Sequence, residues 1–107
     1  MHLTLLEAKE DKTRRAIKTL AGSPSSRVRV ASLEYFDKLF PGAPDAVEAA
    51  LTSITPGDPG AVEAIRFLDK WGKAGDHIKA IEAVRNHLFH LGERGEIDTL
   101  LRRLRGE

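Results

Sequence analysis

The residues best suited to chemistry in this chain are two histidines one helical turn apart, His87 and His90, with Glu93 three positions further on. Imidazole nitrogens and a carboxylate are the donor types that hold zinc. Helical zinc pairs usually sit four apart, however, and Gly92 interposes a glycine-ended turn between the histidines and Glu93. On a helix drawn through Ile81, Val84, Leu88 and Leu91, His90 points away from the packed face and His87 flanks it. Both read as exposed or rim residues. His77 falls near the apolar stripe in the first turn of that helix and reads as a packing residue, and His2 stands apart near the start.

Acid–base catalysis needs carboxylates held together in a cleft. Glu7, Glu10 and Asp11 cluster at helical spacing, as do Glu34 and Asp37. Each group has a base three or four positions away, Arg14 and Arg15 for the first and Lys38 for the second, which is the spacing of surface ion pairs. Ser23, Ser25, Ser26 and Ser32 have no adjacent histidine and no glycine-flanked nucleophile elbow. The glycines are single rather than clustered before a Lys-Ser or Lys-Thr, so no phosphate loop is present. With no cysteine there is no disulfide, zinc finger or thiol nucleophile. The expectation is a protein without enzymatic activity, cofactor or metal.

The elements that carry these residues are helical. The chain of 107 residues fits one small domain, because a second would be too small to bury a core. It is 41% hydrophobic and 31% charged, which suits a soluble globular protein. Aromatics are few, and Leu and Ala outnumber Val and Ile, favouring helix over strand. No apolar run approaches the ~20 residues needed to span a bilayer, and Met1 to Glu10 lacks the pattern of a secretory signal. A cytoplasmic, membrane-free protein is expected. Net charge is +1, unevenly spread: residues 1–30 hold seven Lys or Arg against three acids, and residues 31–65 hold one Lys against six acids.

The punctuation repeats. Gly22, Gly57 and Gly92 are spaced by 35 residues, and Ser23-Pro24 and Asp58-Pro59 follow the first two as helix-start signals. Val30 matches Ile65, Leu33 matches Leu68 and Phe36 matches Trp71 at that offset, at the spacing of a buried stripe. Helices are expected over 2–21, 24–40, 45–54, 59–73, 76–91 and 95–105. They form three units, 1–41, 42–75 and 76–107, of a single domain 1–107. Asp45 and Asp76 are the expected caps of the third and fifth helices. Val62, Ile65 and Leu68 on one stripe and Phe67 with Trp71 on another make the fourth helix central, with Trp71 in the core.

Ser23-Pro24-Ser25-Ser26-Arg27-Val28-Arg29-Val30-Ala31-Ser32-Leu33 resembles the second-helix signature of HEAT-type repeats, and Asp58-Pro59-Gly60-Ala61-Val62-Glu63-Ala64-Ile65 resembles it with Glu63 in place of the arginine. The likeness covers about 70 residues in two of the three units, and Arg29 takes the family's arginine position. It implies an all-α fold, a short right-handed α-solenoid of three helical hairpins, and a binding module rather than an enzyme.

In such stacks the second helices line the concave side. Here they carry Arg27, Arg29, Lys38, Arg66, Lys70, Lys73, Arg102, Arg103 and Arg105. The first eight are the candidate partner or phosphate contacts. Converging, they would form a stripe able to neutralise phosphates; Glu34, Asp37, Glu63 and Asp69 on the same helices oppose this. The leading expectation is a protein-interaction or adaptor module, an assembly subunit that can also oligomerise through leftover apolar residues such as Leu3, Leu5, Leu6 and Phe40. The alternative is a nucleic-acid-associated helical protein of phage or mobile-element packaging or regulatory type.

Overall fold

A computed structural model describes the backbone of residues 5–106 and the side chains from Lys12 onward. Six α-helices occupy the described residues: α1 (Leu5–Ala21), α2 (Ser26–Leu39), α3 (Pro44–Ser53), α4 (Ala61–Lys70), α5 (Ile78–Arg85) and α6 (Leu91–Leu104), with a short 3-10 turn at Ala74–His77 before α5. The all-α expectation holds. Every expected helix has a counterpart, with ends displaced by local chemistry.

The α2 start lies two residues beyond the expected one. Ser23 does not cap it; its Oγ accepts the Ser25 amide at 3.1 Å and closes a turn around Pro24. Ser25 is the cap and accepts the Val28 amide. Neither Asp45 nor Asp58 takes the cap position. Ala43 precedes Pro44 at the head of α3, with Asp45 in its first turn, and Gly60 precedes α4. Asp58 instead accepts the Gly60 amide at 2.7 Å. Thr55-Pro56-Gly57-Asp58 is a hydrogen-bonded turn with Gly57 at φ +85°, the left-handed position that glycine takes after proline in a type II turn. Asp76 lies in the 3-10 turn.

Helix α4 ends in a Schellman motif. The Lys73 amide reaches back to the Leu68 carbonyl at 2.9 Å and the Gly72 amide to Asp69 at 3.0 Å, with Gly72 at φ +71°. Helix α6 begins four residues before the expected start, so Gly92 and Gly95 are helical. His90 supplies the cap, its Nδ1 accepting the Glu93 amide at 3.4 Å. Gly92 makes room for that ring: a Cβ there would lie 3.0 Å from His90 Cε1.

Consecutive helices pack in sequence, and α1 also meets α3 while α2 also meets α4. The Cα envelope measures 50 × 31 × 18 Å, and the radius of gyration is 15.0 Å. A spherical domain of this length would give about 13 Å, so the molecule is drawn out along one axis. Its core runs the length of the slab through Leu33, Phe36, Ile65, Leu68, Ile81 and Ile97. Ala46, Ala50 and Ala64 are fully buried, small enough to bring helix backbones close.

Trp71 lies at the core margin rather than inside it. Its ring is 5.7 Å from Phe67, and its indole N–H donates to Asp37 Oδ1 at 2.9 Å. Phe40, expected as a leftover apolar group, packs against the core, with the Arg14 guanidinium 6.0 Å over its ring. His2 and Leu3, and the side chains of Leu5, Leu6, Glu7, Glu10 and Asp11, lie outside the described residues.

Candidate protein-interaction surface

The eight basic candidates do not act as one stripe. Arg29 turns inward. Its Nη2 meets Asp58 Oδ2 at 2.6 Å, Nη1 donates to the Ser23 carbonyl at 2.7 Å and Nε donates to Ser53 Oγ at 3.1 Å. The two charged side chains are each 12% exposed. One guanidinium thus ties the α1–α2 turn, the end of α3 and the α3–α4 loop to α2. Arg29 is committed to tying these segments to α2.

Three more bases pair with acids on a neighbouring helix. Lys70 on α4 meets Asp37 on α2 at 2.6 Å. Arg103 on α6 meets Asp69 on α4 at 2.7 Å. Arg66 on α4 grips both oxygens of Glu96 on α6, at 2.7 and 2.8 Å, and stands 3.9 Å from Glu63 on its own helix. These pairs set register. Residues 29 and 37 on α2 meet 58 and 70, and residues 66 and 69 on α4 meet 96 and 103, so α2, α4 and α6 run in the same direction side by side.

The electrostatics follow the pairing. Hydrogen bonds from Lys70 first, and from Trp71 second, hold the Asp37 carboxyl below its ordinary value. Arg66 does the same for Glu96, and Arg85 for Asp98, which it binds at 2.6 and 3.2 Å between α5 and α6.

Arg27, Lys38, Lys73 and Arg102 are exposed and make no ion pair among the described residues. Arg27 lies at the start of α2, beside an open groove floored by Val30, Ala31 and Gly60, with Glu34 and Glu63 on its rim. Gly60 is needed there, because a Cβ would stand 2.9 Å from Val30 Cγ2. A second groove, between α4 and α6, is crossed by the Arg66–Glu96 and Asp69–Arg103 pairs. Lys38, Lys73 and Arg102 instead lie where α2, α4 and α6 end.

His87 and His90 are both exposed. His87 Nδ1 is 3.1 Å from the Ala83 carbonyl at the end of α5, and His90 caps α6. Among the described residues no group of three or more His, Asp or Glu side chains could hold a metal ion. His77 is half-buried, as a packing residue would be.

Sequence reasoning set one group of acids against the bases of their own helices, and missed a second group of surface residues. Asp37 and Asp69 anchor the bases of the next helix; their separations of 33 and 34 residues from Lys70 and Arg103, close to the 35-residue period, were the available signal. The other set is apolar. Phe89 is 95% exposed, because α5 stops at Arg85 and Phe89 falls in the α5–α6 connection, and Leu91, which opens α6, is 81% exposed. Tyr35 and Leu39, four apart on α2, are about half exposed. No helix among the described residues is long and apolar enough to cross a membrane.

Compared with protein-family models, curated proteins and solved structures, the chain has no match.

Proposed function

We propose that this chain is a non-enzymatic protein-interaction module, a short stack of three helical hairpins of HEAT-like type that serves as an adaptor or assembly subunit. The observation that carries the reading is the set of ion pairs joining α2 to α4 and α4 to α6, two of them, Asp37–Lys70 and Asp69–Arg103, at separations of 33 and 34 residues. Side chains spent in this way hold like against like in successive units, and such a stack offers continuous surface rather than an enclosed site. Open grooves between the same helices, and the exposed Tyr35, Leu39, Phe89 and Leu91, supply contact area for a protein partner or a second copy. The nucleic-acid reading keeps Arg27, Lys38, Lys73 and Arg102 as exposed bases, but the net charge is only +1 and Arg29 is turned inward onto Asp58.

Affinity capture with the full chain, followed by titration of each retained protein in purified form, tests the module reading. A purified partner, or the chain itself, that binds saturably supports it. A chain that stays monomeric at high concentration and retains no protein overturns it.

A further inference from the structure

We propose that the edge where α2, α4 and α6 end is a docking surface for an acidic amphipathic protein segment. The inference rests on the module reading and names the partner's chemistry.

The pairs at this edge are unequally exposed. Lys70 keeps 65% of its side-chain surface while its partner Asp37 keeps 18%. Arg103 keeps 61% while Asp69 keeps 27%. The carboxylates lie beneath and the cations outside, so even the paired bases present positive charge to solvent. Lys38, Lys73 and Arg102 add cations with no ion pair among the described residues. Lys73 sits by the α2–α3 turn, its Cε 3.8 Å from where a Gly42 Cβ would stand, and Lys38 lies four residues before Gly42. At the opposite ends Glu63 and Glu93 stand in the first turns of α4 and α6, beside Arg27 of α2 and Arg94 of α6. Five bases, Lys38, Lys70, Lys73, Arg102 and Arg103, stand at the ends of α2, α4 and α6. The ion pairs that join α2 to α4 and α4 to α6 bring these ends level, so the bases form a row across three helices.

Two observations favour an acidic protein segment over nucleic acid. Tyr35 and Leu39 are 53% and 50% exposed and sit within a helical turn of Lys38, giving an apolar contact that a phosphate backbone would not use. The whole chain carries only +1, far from the strongly basic balance of a phosphate-driven binder.

The test uses the full chain and fluorescence anisotropy with three labelled probes: an amphipathic Glu/Leu/Ala peptide, the same peptide with Gln for Glu, and a short DNA duplex. The Glu peptide should bind, weaken as salt rises, and bind more tightly than either other probe. The triple variant Lys38→Glu, Lys73→Glu, Arg102→Glu should weaken it about tenfold, the product of a roughly twofold contribution from each exposed pair. Arg27→Glu, at the far end of α2, should change it less than about twofold. An unchanged thermal melt shows that the triple variant is folded. Absence of peptide binding, equal loss from Arg27→Glu, or tighter binding of the duplex overturns the proposal. A captured partner whose affinity ignores the triple variant overturns the edge and leaves the module reading standing, whereas failure to find any protein partner overturns the module reading itself.

Discussion

Arg29→Ala tests how the helices are tied together, because one guanidinium serves three separate segments. The substitution removes the 2.6 Å pair with Asp58, the 2.7 Å bond to the Ser23 carbonyl and the 3.1 Å bond to Ser53 Oγ. Both charged side chains are 12% exposed, so solvent screens the pair little. Removing one partner of a buried ion pair costs about 3–5 kcal/mol, and stripping a donor from the fully buried Ser53 adds about 1 kcal/mol. Asp58 keeps its bond from the Gly60 amide, which offsets part of the loss. The expected net cost is about 3 kcal/mol, the lower end of that range. With a urea m-value of roughly 1–1.5 kcal/mol per molar for a chain of this size, the midpoint should fall by about 2–3 M. Arg29→Lys keeps the charge but loses the planar fork, and should recover about half of the loss. A cycle with Asp58→Asn should give a coupling of about 1–3 kcal/mol. A midpoint shift below about 0.5 M for Arg29→Ala would refute the inward role and return Arg29 to the surface.

Stability should fall in acid. The folded-state values of Asp37, Glu96 and Asp98 lie below their ordinary ones, so their contributions are full at neutral pH and are lost as pH drops from about 4.5 through the lower folded values; Asp37→Asn should flatten the pH dependence of the melting temperature over that range. Gly60→Ala drives a methyl into Val30 and should cost about 1–3 kcal/mol, with Val30→Ala restoring part of it in a double variant followed by thermal melting. Gly92→Ala should push the His90 ring off the α6 amide and cost about 1 kcal/mol, while adding nothing further in a His90→Ala background, read by chemical denaturation.

Helix identity was legible in the sequence because it rests on periodicity. Leu33, Phe36, Ile65 and Leu68 fall on stripes that no strand would produce, and all four are fully buried. Helix ends were less legible, because the same residue types have competing uses. Ser23 and Asp58 are good caps in isolation, but each was drawn into a turn, and Asp58 was also taken by a guanidinium from another helix. Gly92 read as a stop because glycine commonly ends helices; its use here, as space for the ring of His90, depends on a contact that no linear pattern encodes. The candidate surface was half visible. The positions of the bases were plain, but whether each faces water or a carboxylate was decided by helix register. Trp71 shows the same limit: its spacing puts it on the packed side of α4, while its N–H found an acid on α2 and kept it at the margin.

Zero-length carbodiimide crosslinking of the monomer, with the linked peptides identified by mass spectrometry, probes the side-by-side register of α2 and α4 most directly. Lys70 should couple to Asp37, 2.6 Å away on α2, and Lys18 to Glu48, 3.2 Å away between α1 and α3. Coupling of Lys70 to acids of α5 or α6 instead, with the Asp37 product absent, would contradict the arrangement on which the module reading and its basic edge are built.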